Sequence, residues 1–169
     1  DALPISMQSY AACLEKFTGK KLSEIPGTGA AGGLGFAFLW GLPNVELKPG
    51  IDIVLEAVGL TNELKDADVV VTGEGCLDFQ TAMGKVPVGV AKTAKNYNCK
   101  VIAFAGSVTE EAKNCNEKGI DAFFSILPGV CSLDEAMDTE TAQKNMRNAA
   151  EQVFRLILAC GKEKSSLHP

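Results

Sequence analysis

ADVVVTGEG, residues 67–75, is a short β-branched run closed by glycines. A parallel strand covered by helices on both faces reads as such a continuous apolar run, not as an alternation. Outward from it the same grammar repeats. Helix signals occupy 84–96, and KVIAFAG at 100–106 reads as a second strand. SVTEEAKNCNEKG at 107–119 predicts a helix with Thr109 as N-cap, acidic residues in its first turn and Gly119 as its stop. IDAFFSIL at 120–127 is a third strand, and SLDEAM at 132–137 opens further helix. A last long helix is expected over about 139–160, closed by Gly161, before a disordered tail at 162–169. Strand, helix, strand, helix, strand with short links predicts an α/β fold, a Rossmann-like parallel sheet with flanking helices. Three strands make a thin sheet, so the chain is expected to be part of something larger.

Upstream the pattern differs. ISMQSYAACLEKFT at 5–18 has helical spacing and ends at Gly19. KKLSEI links it to PGTGAAGGLG at 26–35, which flows into FAFLWGL, a helix whose glycines permit close packing. In ELKPGIDIVLEAVGL at 46–60, Pro49 suits a helix entrance, and Ile51, Val54, Leu55 and Val58 make one apolar stripe. Asp52 and Glu56 fall on a neighbouring face. Asp66–Asp68 is the expected boundary between two regions, 1–66 and 67–161.

Composition narrows the function classes. The chain has 169 residues, 46% hydrophobic and 22% charged, which is a globular balance. A net charge of −5 without a basic patch argues against nucleic acid and anionic membrane as partners. It does not argue against a nucleotide, because backbone N–H groups, a few lysines and a metal ion usually hold phosphates. The six cysteines form no C-x-x-C pair and the sole histidine is His168, which removes Cys/His zinc spacing. Cys99 and Cys160 lie in apolar runs and read as small buried hydrophobes. No stretch of eighteen apolar residues and no signal-peptide pattern occurs, so a reduced, cytoplasmic protein is expected.

Two nucleotide motifs are matched only superficially. Gly27-Thr28-Gly29-Ala30-Ala31-Gly32 fits G-x-G-x-x-G, but that fingerprint needs a strand directly before it, and Lys20 to Pro26 is polar. An NAD-dependent oxidoreductase therefore predicts a strand before Gly27. The other readings of this segment are a tight packing turn, or a row of N–H groups lining a pocket for a carboxylate or phosphate. Gly84-Lys85 fails as a P-loop, with Phe79 where a glycine belongs and Val86 where Ser or Thr belongs.

The densest polar constellation is Thr72-Gly73-Glu74-Gly75-Cys76-Leu77-Asp78-Phe79-Gln80-Thr81, ending at Gly84-Lys85. It starts where the first strand is expected to end, and open parallel sheets bind ligands beyond the carboxyl ends of their strands. Gly73 and Gly75 would let backbone approach a ligand. The structural alternative is a polar loop with Asp78 or Thr81 as the N-cap of the next helix. Phosphoryl transfer needs positioning, charge neutralisation and an acceptor for the hydroxyl proton. Asp78 is the candidate base, Glu74 the candidate Mg²⁺ ligand, and Lys85 the cation for phosphate or substrate carboxylate; these roles are exchangeable on sequence alone.

PGTGAAGGLG at 26–35, KPGIDIVL at 48–55 and V-T-G-E-G-x-x-D-x-Q-T-x-x-G-K-x-P-x-G-V-A at 71–91 resemble, in order, the signature blocks of the bacterial glycerate kinase family. AFAGS at 103–107 and GIDAFFSI at 119–126 are similar to the next segments in that family. The resemblance runs from about residue 10 to 160. It implies two α/β domains, one inserted in the other, with 1–66 ending the inserted domain and 67–161 returning to the Rossmann-like one. It implies ATP-dependent phosphorylation of D-glycerate with Mg²⁺, and it makes the chain correspond to a C-terminal portion of such an enzyme. On this reading Gly29, Gly32, Gly33, Asp52, Gln80 and Thr81 serve the substrate and Thr72, Gly73 and Gly75 the nucleotide. Two positions depart from the family pattern: Cys76 stands where a basic residue is common, and Met83 where a histidine often stands. The competing class is a non-catalytic α/β fragment, an anion-binding or dimerisation module, in which exposed apolar surface favours a homodimer.

Overall fold

Val69 begins a strand that does not stop at its glycines. In the computed structural model, which describes residues 5–162, β1 covers Val69–Leu77 and pairs in parallel with β2, Lys100–Val108. Val69 lies opposite Lys100 and Leu77 opposite Val108, so the whole Thr72–Leu77 stretch is strand. The expected loop therefore starts only at Asp78. The reason lies in Gly73, where a Cβ would meet the Phe104 carbonyl oxygen at 2.3 Å. Glycine there admits a close neighbouring strand and does not end the run. On the far side of β2, β3 (Ala122–Ser125) is parallel too, with Ile102 opposite Ala122 and Ala105 opposite Ser125. The order is β1-β2-β3.

Central β2 sends alternate side chains into two cores, as a period of two requires. Val101, Ala103 and Ala105 join Val88, Ala91 and Ala94 of a helix at Val86–Lys95, with Cys99, Ala112, Cys115 and Ile120. Ile102 and Phe104 face the other way, onto Val153 of the long C-terminal helix, and the Phe104 and Phe124 rings lie 6.0 Å apart. Helices on both sides of a parallel sheet make the three-layer α/β arrangement that the patterning predicts.

In chain order the helices are α1 (Ile5–Thr18), α2 (Ala30–Gly41), α3 (Gly50–Ala57), α4 (Leu60–Glu63), α5 (Phe79–Ala82), α6 (Val86–Lys95), α7 (Leu133–Met137) and α8 (Thr139–Lys162). The predicted helix after Thr109 is a 3₁₀ helix over Glu110–Lys118. Its fully buried residues, Ala112 and Cys115, are three apart, the spacing that three residues per turn stacks on one face. Gly119, at φ +106°, ends it. Thr109 occupies the cap position without a side-chain cap bond. Its hydroxyl serves the Glu111 carboxylate instead and holds that carboxyl below its usual range. Ser132 does cap α7, through a reciprocal box with Glu135. Gly161 does not stop α8, which continues to Lys162, and the rest of the expected tail lies outside the described residues.

The chain divides between Val54 and Leu55 into two compact units, ahead of the Asp66–Asp68 boundary expected from composition. Leu64, 2% exposed, belongs to the core with Val88 and Val101, and the Cys99 thiol reaches the Leu64 and Ala67 carbonyls at 3.6 and 3.1 Å. That packing assigns 55–66 to the sheet-bearing unit. The first unit is helical among the described residues. Tyr10 of α1 meets Phe36 of α2 edge to face, with centroids 6.3 Å apart. The stripe expected over 51–58 is only half covered: Ile51 and Leu55 are half-buried, whereas Val54 is 54% and Val58 66% exposed. Cys99 is buried as expected, but Cys160 is exposed, and all six cysteines are unpaired. Among the described residues no helix is long and apolar enough to cross a membrane.

Candidate active site

The carboxyl end of β1 passes directly into a capped helix turn. Asp78 has extended backbone (φ −140°, ψ −172°) and accepts the Thr81 amide at 3.0 Å, while the Thr81 hydroxyl accepts the Asp78 amide at 3.2 Å. This reciprocal box satisfies donors that the start of α5 would otherwise leave open. The structural alternative raised for Asp78 thus holds, and it leaves the carboxylate partly solvent-accessible, at 24%.

Three further groups meet there. Glu74 projects from β1 and accepts a hydrogen bond from the Thr81 hydroxyl. Lys85, just before α6, brings its ammonium to 3.5 Å from Asp78 Oδ1. Cys115 lies buried nearby: burial pushes its thiol pKa up, and the negative charges of Glu74 and Asp78 add to the rise. The Thr81 amide holds the Asp78 carboxyl below the usual carboxylate range; partial burial opposes this and Lys85 assists it. Asp78 is therefore an anion at neutral pH. Among the described residues no hydrogen bond engages Asp78 Oδ2 or Glu74 Oε2.

The structure thus gathers Glu74, Asp78, Thr81 and Lys85. Thr81, expected to face substrate, is fully buried. Gln80 is exposed beside Lys85 in a shallow pocket of about 420 Å³ that also includes Phe79 and Met83. Phe79 and Met83 are 55% and 75% exposed. Thr72, Gly73 and Gly75 lie within β1. Gly73 is crowded by Phe104, whereas a Cβ at Gly75 would meet nothing within 4 Å.

Gly29, Gly32, Gly33 and Asp52 belong to the first unit. Gly29 precedes α2, and Ala31, Gly32 and Gly33 follow with φ of +50°, +69° and +92°. Three consecutive left-handed residues explain the glycines there, since side chains rarely tolerate that conformation. Among the described residues no strand precedes Gly27, which removes the NAD reading. The segment borders a cavity of about 630 Å³ that also involves Glu15 and Ser23. Glu15 Oε1 accepts the Leu22 amide at 2.8 Å and the Ser23 amide and hydroxyl each at 2.7 Å. The Ser23 hydroxyl is the main cause holding that carboxyl below its usual range. Sequence reasoning missed this anchor, because Ser23 lies eight positions from Glu15, beyond the end of α1. Asp52 lies exposed in the first turn of α3.

The donor chemistry suits Mg²⁺ held by one or two carboxylates together with substrate phosphates, as in many phosphoryl-transfer sites. Among the described residues no cluster of three or more His, Cys, Asp or Glu side chains forms a protein-only metal cage.

The glycerate kinase family profile matches residues 1–158. A glycerate kinase of Bacillus subtilis (strain 168) is 44% identical over 157 residues, covering 93% of this chain and 40% of that protein. The glycerate 2-kinase of Escherichia coli (strain K12) is 44% identical over 131 residues, covering 78% of this chain and 34% of that protein. A crystal structure described as a glycerate kinase 2 of Salmonella typhimurium LT2 superposes with a TM-score of 0.66 at 38% identity, covering 93% of this chain and 39% of that one. The chain thus spans about 40% of the length of the Bacillus relative it matches. With the signature residues placed at the end of a parallel strand and the match running almost end to end, the chain belongs to the glycerate kinase family.

Proposed function

We propose that this chain carries the phosphoryl-transfer part of an ATP-dependent glycerate kinase, acting on D-glycerate with Mg²⁺ in the cytoplasm. The observation that carries the reading is the convergence of Glu74, Asp78 and Lys85 at the carboxyl end of β1. Phosphoryl transfer asks a protein mainly to position its reactants and stabilise charge, and two carboxylates with one ammonium supply the elements of both.

Glu74, with Oε2 outside the hydrogen-bond network, is the residue to hold Mg²⁺. Held there, Mg²⁺ would supply positive charge to offset that of the phosphates. Asp78 presents Oδ2 to the attacking hydroxyl of glycerate, orients it and accepts its proton as the bond to the γ-phosphoryl group forms and the bond from that group to ADP breaks, ADP being the leaving group. Its lowered pKa makes it a modest base but keeps it ionised at neutral pH, and a loose transition state demands little basicity. Lys85, 40% exposed, balances charge on the transferring phosphoryl group or holds the substrate carboxylate. Thr72, Gly73 and Gly75 remain proposed for the nucleotide, and Gly29, Gly32, Gly33, Asp52 and Gln80 for the substrate. Six unpaired thiols support a reducing compartment.

A coupled assay with ATP, Mg²⁺ and D-glycerate tests the proposal. Turnover by this chain that falls by about 10²–10⁴-fold in Asp78→Asn, the range for losing a general base, supports it. Absence of turnover by this chain and by a longer form of the protein would sink it. Self-association is the second reading, favoured by Leu156 and Leu158 of α8, exposed at 60% and 65%. A concentration-independent monomer in sedimentation equilibrium removes it.

A further inference from the structure

The substrate role expected for Thr81 does not fit its complete burial. A hydroxyl has one proton to donate and two lone pairs to accept with. Here the proton goes to Glu74 and a lone pair takes the Asp78 amide at 3.2 Å, while the Thr81 amide bonds Asp78 Oδ1 at 3.0 Å. The side chain is 0% exposed, so no ligand reaches it. We infer that Thr81 is a positioning residue, tying Glu74 at the end of β1 to Asp78 at the start of α5 so that each carboxylate keeps one oxygen for the reactants.

Each bond of the knot selects an oxygen. The Thr81 hydroxyl occupies Glu74 Oε1 and leaves Oε2. The Thr81 amide and the Lys85 ammonium both engage Asp78 Oδ1 and leave Oδ2. Without the hydroxyl, Glu74 would be free to rotate about its side-chain torsions and the Asp78 amide would lose its partner. Threonine suits the position better than serine because its β-branch limits χ1, which aims the hydroxyl before any ligand arrives. The inference rests on the kinase reading for the use made of the two oxygens, whereas the knot stands on the geometry alone.

Thr81→Val keeps the shape and removes the hydroxyl; Thr81→Ser keeps the hydroxyl. Both are compared with the unaltered chain by steady-state kinetics with ATP, Mg²⁺ and D-glycerate, and by amide hydrogen exchange at residue 78. Thr81→Val is expected to lower kcat about 10–100-fold, the usual effect of removing an outer partner of a reacting group, with KM for D-glycerate unchanged. The residue 78 amide should exchange faster as well. Thr81→Ser should restore kcat and slow exchange. Where Thr81→Val does not fold, Thr81→Ala removes the same hydroxyl with less bulk and is read the same way. An undiminished kcat overturns the inference, and so does a Thr81→Ser variant as impaired as Thr81→Val. A raised KM for D-glycerate with intact kcat overturns it too, since that marks a substrate ligand. If neither the unaltered chain nor a longer form of the protein shows turnover, the kinase reading has failed separately. Exchange then decides the knot, and unchanged protection at residue 78 in Thr81→Val overturns it.

Discussion

Gly73 and Phe104 face each other across β1 and β2 with no room for a side chain: a Cβ on residue 73 would stand 2.3 Å from the Phe104 carbonyl oxygen. Backbone cannot swing aside as a flexible side chain can, so the strands would have to separate just before the segment that carries Glu74 and Asp78. Gly73→Ala should therefore destabilise the protein by about 1–3 kcal/mol, the usual cost of overpacking. Gly75→Ala, whose added methyl would meet nothing within 4 Å, should lie within about 0.5 kcal/mol of the unaltered chain. Urea unfolding of the two variants measures the contrast.

Phe104 also anchors the core on the α8 side, where it is 2% exposed and packs with Phe124 and Val153. Phe104→Ala should cost about 3–5 kcal/mol through lost transfer energy and the cavity left behind. Denaturant titration should show the loss, with the largest gain in amide exchange along β2 and β3.

Asp121, just before β3, ties α6 to β2: its carboxylate accepts the Val101 amide at 2.7 Å and pairs with Lys95. Burial pushes its pKa up, but the bonds from Lys95 and Val101 outweigh burial and hold it below the ordinary value. A carboxyl that binds protons less readily when folded stabilises the protein fully above its unfolded pKa, about 3.9. That contribution disappears as pH falls through the lower folded value. Melting midpoints should therefore drop below about pH 4, and Asp121→Asn should melt lower at pH 7 and lose less on acidification. Scanning calorimetry from pH 7 to 3 measures both.

Lys85 stands at the mouth of the site with its ammonium near Asp78. If it offsets phosphoryl charge, Lys85→Met should reduce kcat by about 10²–10³-fold, the range for removing one preorganised electrostatic donor. A holder of the substrate carboxylate would instead raise KM for D-glycerate. Initial-rate kinetics at saturating ATP separate the roles.

Much of this architecture was legible in the residues. The β-branched runs at 69–71 and 101–102 and the left-handed stop at Gly119 place the parallel sheet and its connections, because periodicity and glycine geometry act locally. The ordered blocks at 26–35, 48–55 and 71–91 led to the family. Three features escaped for definite reasons. Gly73 reads as punctuation when alone, and only its neighbour Phe104 reveals it as a strand residue. Thr81 reads as a helix cap or a substrate hydroxyl, and only the folded contacts show it turned fully inward. Val54 and Val58 fit a core stripe in pattern, but both stay more than half exposed.

The capping box at Asp78 and Thr81 means that the start of α5 and the candidate chemistry share the same atoms. A genetic selection that scores growth would confound two defects at these positions, because a variant that blunts turnover also loosens a helix start and exposes the chain to cellular proteases. Small losses of stability can change abundance several-fold. Rates at residues 74, 78 and 81 therefore need normalising to folded protein, and a deep mutational map of abundance alone should outline this site with no substrate present.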